Sequence, residues 1–390
     1  MTRNGVYALS ADPITFGHIE LATRAAQEYD QLVVAIGQNP NKKYLFSLEE
    51  RVEMARRSPL SLIPNIKIDS FKGLLVDYAF MNGIGYLVRG VRNKKDRDDE
   101  EVYAKVVQDQ NLGVTVKTIE ANPDYKHISS SLVKLAEQDN GLFGLKPSYV
   151  TPYVKQCLEA RMLDKYFVGV TGAIGCGKSY VCEKLVEQGR QNNIPTHYVD
   201  MDRIGHLILG NCSLPMAVTA REEVAKTFGS DFVNLDGSIN RQKLGEQVFV
   251  HPDRMEALSQ IVSKPLFVYL RDQVLSDKKG LILLEAALFA ESGIADWCNY
   301  NVVLVTADST TQERRIADRD GITPDKIQRR VNSQFNGEKK REILEGQIRE
   351  NHNGKLWTFD DPDGLPLERY EQLFDQVVNT VDIYGNLRKK

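Results

Sequence analysis

The sequence lacks the features that would place it outside ordinary globular proteins. It has no long apolar run: the most hydrophobic stretch, GLILLEAALFA at 280–290, is broken by Glu285 and is too short to cross a bilayer, so no membrane span is expected. Its start, MTRNGVYALSADP, carries no basic patch ahead of an apolar segment, so no secretory leader is expected either. The five cysteines, Cys157, Cys176, Cys182, Cys212 and Cys298, are odd in number and show no C-x-x-C pair. That pattern argues against a disulfide frame or a zinc knuckle and for the reduced thiols of a cytoplasmic protein. Neither sign of charge dominates: 50 Lys and Arg face 53 Asp and Glu, divided 21 to 20 before residue 164 and 29 to 33 from there on. Neither half is therefore a polybasic nucleic-acid binder. Low-complexity tracts and internal repeats are missing as well, which excludes disordered and solenoid architectures.

What is present is 390 residues, 42% hydrophobic and 26% charged, enough for two or three domains with real cores. Short β-rich runs alternate with amphipathic stretches: VYALS, a helix from about 18 to 29, QLVVAIG, then a helix opening at Ser47, whose Glu50 completes a capping box. IKIDSF, YLVRGV and VTVKTIE continue the pattern, with helices expected over 74–82 and 98–110. Strands alternating with helices make a parallel sheet. After a closing helix in PSYVTPYVKQCLEARM the pattern restarts with YFVGVTG, followed by THYVDMD, GLILLEA, NVVLVTA and a tail of KLWTFDD and a helix over 365–384. The expected domains are 1–163 and 164–390, both α/β, with too short a connection for one to swing onto the other. Each half is expected to keep its function when separated.

The second half opens on Gly172-Ala173-Ile174-Gly175-Cys176-Gly177-Lys178-Ser179, which fits G-x-x-x-x-G-K-[ST] directly between an apolar strand and a helix. Glycines let backbone N–H groups turn toward a phosphate, and the helix N-terminus adds a positive end. Lys178 neutralises the β and γ oxygens, and Ser179 can hold Mg²⁺. The next strand ends in Asp200-Met-Asp202, where a period of two places both carboxylates together at the ligand-binding edge of the sheet. A carboxylate there can accept the proton of an alcohol that receives the phosphoryl group. Asp202 reads equally well as a helix N-cap. Downstream, QERRIADR at 312–319 and QRRVNSQ at 328–334 form a helical lid with arginines for the transferred phosphoryl group. Arg315 and Arg319 share one face of it, although such a helix without a phosphate loop is usually a solvated surface.

From about Tyr166 to Phe335 this half resembles dephospho-coenzyme A kinase. The resemblance rests on the phosphate loop, the D-x-D strand end, DGSINRQKLGEQVF at 236–249, and the Q-x-x-R and R-D of the lid. A stretch like the family's P-L-L-x-E spans Glu285 to Glu291, with Ala287 where that family has proline, and Lys264 precedes Pro265 where it usually has histidine. The resemblance implies a P-loop kinase fold, Asp202 as catalytic base, and ATP held by Gly172 to Ser179, Tyr180, Arg315 and Arg319.

The first strand runs into Ser10-Ala11-Asp12-Pro13-Ile-Thr15-Phe-Gly17-His18. A histidine at a helix N-terminus, beside a glycine that allows close approach, can donate to an α-phosphoryl group as it becomes five-coordinate, with Ser10 and Thr15 supplying hydroxyls. By itself a lone histidine there is commonly a cap. This position resembles the T-x-G-H of nucleotidylyltransferases, and three further segments are similar to bacterial-type phosphopantetheine adenylyltransferase: NPNKKYLFSLEER at 39–51, YLVRGVR at 86–92 and HISSSLVK at 127–134. The resemblance covers nearly all of residues 4–160 and implies a Rossmann-like nucleotidylyltransferase fold. It implies catalytic roles for His18 and Lys42, and a pantetheine site of Ser10, Lys42, Leu75 and Arg89. It places ATP on Ser10, Ala11, His18, Gly90, Val91, Arg92, Glu100 and the run Tyr125, Lys126, His127, Ile128, Ser129, Ser130 and Ser131. Ser10-Ala11 replaces that family's Thr-Phe, and the acidic run Asp96 to Glu101 loses its aromatic.

The resemblances together imply a two-step enzyme of coenzyme A formation. It would join ATP and 4′-phosphopantetheine into dephospho-coenzyme A and pyrophosphate, then phosphorylate the ribose 3′-hydroxyl from a second ATP, with Mg²⁺ in both steps. Small molecules are the expected partners, with no nucleic acid, no membrane, and self-association through the first domain. Two other readings stay open: an adenylyltransferase joined to a P-loop kinase of nicotinamide nucleosides, and a nucleotide sensor in which one half is inactive.

Overall fold

The computed structural model describes residues 2–145, 148–248, 251–321, 323–332, 334–361 and 364–388, with the side chains of Pro252, Lys326, Arg329, Arg330 and Asn332 left aside. It divides into two compact units, residues 1–138 with 145–155, and residues 139–144 with 156–390.

The first unit runs β1 (Asn4–Leu9), α1 (Phe16–Ala26), β2 (Gln31–Gly37), α2 (Leu48–Arg56), β3 (Ile66–Phe71), α3 (Leu75–Met81), β4 (Tyr86–Val91), α4 (Lys94–Asp109), β5 (Thr115–Glu120) and α5 (Ser130–Glu137). Its five strands are parallel in the order β3-β2-β1-β4-β5. The connections reverse direction between β1 and β4, and in such sheets ligands sit outside the carboxyl ends of the strands at that switch point. β1 and β2 read as near-continuous apolar runs because both faces of a parallel sheet are covered; Val6, Val33, Ala35 and Leu87 are all buried in one cluster with α3. Two helices begin earlier than their hydrophobic pattern suggests, because their caps lie in polar stretches. Thr15 caps α1, which puts His18 in its first turn, and Asn93 caps α4 by accepting from Asp96 N–H at 3.0 Å.

The chain passes from the first unit to the second within α6 (Pro152–Leu158). The second unit continues with β6 (Lys165–Thr171), α7 (Lys178–Gln191), β7 (Thr196–Asp200), α8 (Met201–Leu209), α9 (Pro215–Phe228), α10 (Arg241–Val248) and α11 (Pro252–Tyr269). β8 (Gly280–Glu285), β9 (Asn301–Thr306), α12 (Ser309–Asp320), α13 (Pro324–Asn332), α14 (Gly337–Asn351), β10 (Lys355–Asp360) and α15 (Leu367–Val381) complete it. The order β10-β9-β6-β8-β7 is again parallel. β6 and β8 are buried at every position and β9 at all but its last, which explains their nearly unbroken apolar sequences. A separate apolar cluster, including Ile208, Val224, Leu244 and Ile261, holds α8 to α11 together. The five cysteines are free thiols.

The division falls elsewhere than at 163. Residues 156–163 pack with the second unit, where buried Glu159 accepts from Asn299 Nδ2 at 2.6 Å and Arg161 lies 4.1 Å from the Tyr384 ring centre. Residues 139–144 go with it: Phe143 stands 5.3 Å from the rings of Phe167 and Trp297. No helix among the described residues is long and apolar enough to cross a membrane.

Candidate active sites

In the first unit the loop after β1 is held from beneath by buried charges. Asp12, 5% exposed, accepts from the N–H groups of Leu45 and Phe46 and pairs with Lys134 Nζ at 2.8 Å. Arg51, 1% exposed, donates to the carbonyls of Ser10 and Gly37 and stacks 4.0 Å from the Tyr44 ring centre. Ser10 and Ala11 are thereby fixed at the β1 edge, with Ala11 at φ 47°, in the left-handed region. The Tyr44 hydroxyl accepts from Asn39 N–H at 2.8 Å, joining the turn that carries Lys42 to the same scaffold. Lys42 itself is exposed.

His18 faces this edge. Its Nδ1 accepts from Thr15 N–H at 3.1 Å and lies 2.9 Å from Thr15 Oγ1. A backbone amide can only donate, so Nδ1 carries no proton and Nε2 is the N–H of a neutral imidazole. Burial, reinforced by the positive charge of Arg92, lowers the His18 pKa to about 4, so the ring stays neutral at physiological pH. Gly17 lets α1 approach the opposite wall: a Cβ there would stand 3.1 Å from Ile128 O and 3.2 Å from Tyr125 O. Ser130 donates to Pro13 O at 2.7 Å and Ser129 caps α5, so the run from Tyr125 to Ser131 lies against the β1 loop. His127 packs edge-on to Tyr149, while Tyr125 and Lys126 are exposed.

From the other side of the switch point, β4 contributes Arg89, Gly90 and Val91 and then Arg92, whose N–H donates to Asp96. Gly90 packs close under α1: a Cβ there would lie 2.4 Å from Leu21 Cδ1, so Leu21 would have to move. Arg89 and Glu100, expected on different substrates, face each other in a bidentate pair. Leu75 is 8% exposed at the first position of α3. The sheet edge thus gathers Ser10, Ala11, His18, Arg92 and the 125–131 run. Asp12, Arg51 and Lys134, which organise it, were given no role from the sequence. Their signal is a charged residue within each motif that no substrate role accounts for.

In the second unit the 172–179 loop joins β6 to α7. Gly172, Gly175 and Gly177 have φ of 155°, 78° and 93°, and a Cβ on Gly177 would stand 2.3 Å from Asp361 Oδ2. Lys178 Nζ donates to Ala173 O at 3.2 Å, across the mouth of the loop that Ile174 and Cys176 complete. Ser179 Oγ donates to Glu285 Oε1 at 3.1 Å, and Tyr198 donates to the other oxygen of that carboxylate. Arg315 supports the loop from α12: it reaches Gly175 O at 3.5 Å and Asp361 O at 3.0 Å, and Asp361 in turn accepts from the Tyr370 hydroxyl. Arg319 is exposed and paired with Asp320. Tyr180 is half exposed and meets Tyr370 edge-on. The side chains of Arg329 and Arg330 lie outside the described residues.

The alternation expected of Asp200 and Asp202 does not hold. The strand ends at Asp200, whose carboxylate caps α8 through Arg203 N–H at 2.8 Å, so the N-cap is Asp200 rather than Asp202. Asp202 is already in α8 and points elsewhere, its Oδ2 accepting from Ala287 N–H at 2.9 Å. Burial raises its carboxyl pKa, with the Ala287 N–H and Lys178 acting against it. Burial likewise raises Glu285, opposed by Tyr198 and Lys178. Hydroxyl and carboxylate oxygens such as those of Ser179 and Glu285 suit a hard cation like Mg²⁺. No cluster of three or more acidic, histidine or cysteine side chains is present among the described residues, so phosphates and water would have to complete any coordination shell.

Fold and site define two classes of protein in one chain, a Rossmann-type nucleotidylyltransferase and a P-loop kinase. Residues 7–136 match the cytidylyltransferase-like family and residues 166–355 the dephospho-CoA kinase family. The phosphopantetheine adenylyltransferase of Petrotoga mobilis is 37% identical over 163 residues, covering 42% of this chain and 98% of that one. That of Carboxydothermus hydrogenoformans is 44% identical over 151 residues, covering 38% and 91%. A solved dephospho-CoA kinase from Campylobacter jejuni is 19% identical over 57% of this chain and 99% of its own, with a TM-score of 0.32. The chain belongs to the phosphopantetheine adenylyltransferase family through its first unit and carries a dephospho-CoA kinase domain as its second. That is the architecture of a bifunctional coenzyme A synthase.

Proposed function

We propose that the chain performs the last two steps of coenzyme A formation at these two sites. In the first, a phosphate oxygen of 4′-phosphopantetheine attacks the α-phosphorus of ATP in line; the new P–O bond forms as the bond to pyrophosphate breaks. The observation that carries this reading is the neutral His18, whose Nε2–H is left to donate because Nδ1 is occupied by Thr15. A preorganised donor of this kind stabilises charge that develops on the α-phosphoryl oxygens. Ser10 and the amides and hydroxyls at Ser129 to Ser131 receive phosphate oxygens, Lys42 closes over them from its exposed turn, and Arg92 adds positive charge. Leu75 and Arg89 complete the pantetheine site, and Gly90, Val91, Glu100 and the run from Tyr125 the ATP site.

In the second step the ribose 3′-hydroxyl of dephospho-coenzyme A attacks the γ-phosphorus of another ATP. Its proton passes to Asp202, the γ–β bridging bond breaks, and ADP leaves. Burial makes Asp202 a stronger base than an exposed aspartate. Lys178 and the loop amides hold the triphosphate, with Arg315 beside Gly175 and Arg319 joining when the lid closes. Ser179 and Glu285 would hold Mg²⁺, which neutralises phosphate charge when bound.

The protein would act in the cytoplasm on small molecules. Self-association would use the first unit, where Phe80, Met81, Val102 and Val106 on α3 and α4 are 57, 75, 68 and 52% exposed. The test is incubation with 4′-phosphopantetheine, ATP and Mg²⁺ and identification of products by mass. Dephospho-coenzyme A with pyrophosphate, followed by coenzyme A with ADP, is expected. Turnover of nicotinamide mononucleotide in place of 4′-phosphopantetheine would overturn the reading.

A further inference from the structure

Lys340, contributed by α14, is a fully buried cation, distant from the phosphate-loop signature in sequence but within electrostatic reach of Cys176 and Lys178, with 0% of its surface exposed. Its Nζ donates to Ala287 O at 2.7 Å and to Glu291 Oε1. Thr171, the last residue of β6, donates to the same carbonyl at 3.3 Å. The N–H of Ala287 is the group that holds Asp202 Oδ2. Residue 287 is therefore gripped on its carbonyl side by a buried ammonium and spent on its amide side on the carboxylate. Glu291 also accepts from Phe335 N–H at 3.3 Å, at the point where the chain returns from α13, so the arginine-bearing segment ends on the same clamp.

A cation is costly to bury, and packing alone would be served as well by an apolar side chain of similar size. Glu291 balances the charge of the ammonium, and its remaining hydrogen bond fixes the Ala287 carbonyl, in a turn where Thr171 Oγ1 also donates to it. We infer that Lys340 is a positioning residue for the kinase step: by holding the Ala287 carbonyl it fixes the residue whose N–H orients the Asp202 carboxylate toward the acceptor hydroxyl. This inference rests on the assignment of Asp202 as base.

The experiment compares two substitutions of nearly the same size in the full chain. Lys340→Met cannot donate to the carbonyl, whereas Lys340→Gln can. Single-turnover phosphorylation of dephospho-coenzyme A is measured for each, alone and combined with Asp202→Asn. Lys340→Met is expected to lower the rate by about tenfold, typical of removing a group that orients a catalytic side chain, with KM for ATP within about twofold of wild type. Lys340→Gln is expected to restore most of the rate. In the Asp202→Asn background Lys340→Met should cost nothing further, because the residue it positions is gone. An unchanged rate in Lys340→Met, or the same tenfold loss with Asp202→Asn already present, would overturn the inference. A normal rate in Asp202→Asn alone would instead remove the base assignment, and the two failures are thus distinguishable. If Lys340→Met is recovered unfolded, Glu291→Gln, which loosens the second anchor of the ammonium, takes its place in both backgrounds with the same two outcomes.

Discussion

Arg89 and Glu100 are joined face to face, Arg89 Nε lying 2.9 and 2.8 Å from the two carboxylate oxygens and Nη2 2.8 Å from Oε1. Arg89 comes from the end of β4 and Glu100 from the second turn of α4, and Tyr103 on the next turn lies 5.3 Å from the guanidinium. Both are largely shielded, their side chains 31 and 14% exposed, so the pair is better protected from solvent screening than a surface bridge. The arginine proposed for the pantetheine site and the glutamate proposed for the adenosine site are thus one structural unit.

Glu100→Gln is therefore expected to raise KM for both substrates of the first step. Loss of the second carboxylate oxygen leaves Arg89 without its bidentate guide, and a tenfold rise, about 1.4 kcal/mol, is the scale for one oriented contact. Steady-state kinetics with each substrate varied in turn decides it. A rise confined to ATP would show that the pair does not orient Arg89.

His18 makes the first unit acid-sensitive. Its folded pKa of about 4 lies below the unfolded value of 6.5, so its neutral form is favoured by the fold. The stabilisation is complete above pH 6.5 and is lost as pH falls through 4, on the order of 3 kcal/mol in all. Thermal melting of the wild type should drop across that window by more than that of His18→Gln. At neutral pH His18→Ala is expected to slow adenylyl transfer by roughly 2.7 to 4 kcal/mol of barrier while sparing phosphorylation of added dephospho-coenzyme A. Parallel melting curves for His18→Gln and wild type would argue that the ring is not held neutral.

Lys178→Ala is expected to do the converse. It removes positive charge from the mouth of the phosphate loop and from beside two buried carboxylates, so the second step should fail and dephospho-coenzyme A accumulate. Removing Lys178 also takes away a charge that lowers both carboxyls, which raises the Asp202 and Glu285 pKa values further. Normal coenzyme A formation by this variant would make the loop a structural turn.

Both motifs proposed to contact phosphate were legible because their parts lie within eight or nine residues of each other, so spacing alone constrains geometry. The strands were legible because parallel sheets bury both faces. The supporting charges were not: Asp12 meets Lys134, Ser179 meets Glu285 and Lys340 meets Ala287 across 122, 106 and 53 positions, and only the strand order brings them together. Glu285 left a trace as the one charge in an apolar run, whereas Lys340 sits in GEKKRE and looks like any solvated helix. Asp202 was misplaced because α8 begins at Met201, turning a 180° step into a helical one. Ala287, a departure from the proline of dephospho-coenzyme A kinases, supplies the N–H that a proline would lack.

The course of the chain near 139–163 makes the last prediction. A cut at 163 separates the sequence motifs cleanly, but the second unit contains residues 139–144. Phe143 is 2% exposed between Phe167 and Trp297, and Asn140 Oδ1 accepts from the buried Lys165 ammonium at 2.8 Å, alongside Leu275 O. A fragment of residues 164–390 loses both. Removing a buried phenylalanine typically costs about 3 to 5 kcal/mol, and leaving a buried ammonium short of an acceptor adds to it. Since domains of this kind have a total stability of roughly 5 to 15 kcal/mol, that fragment is expected to melt well below one of residues 139–390 and to lose kinase activity on mild warming. Residues 139–390 should melt like the second transition of the full chain. The measurement is calorimetry on the two fragments and on full-length Phe143→Ala. Equal melting temperatures for the two fragments would mean that residues 139–144 contribute nothing to the kinase unit, and the domain boundary would then belong at 163.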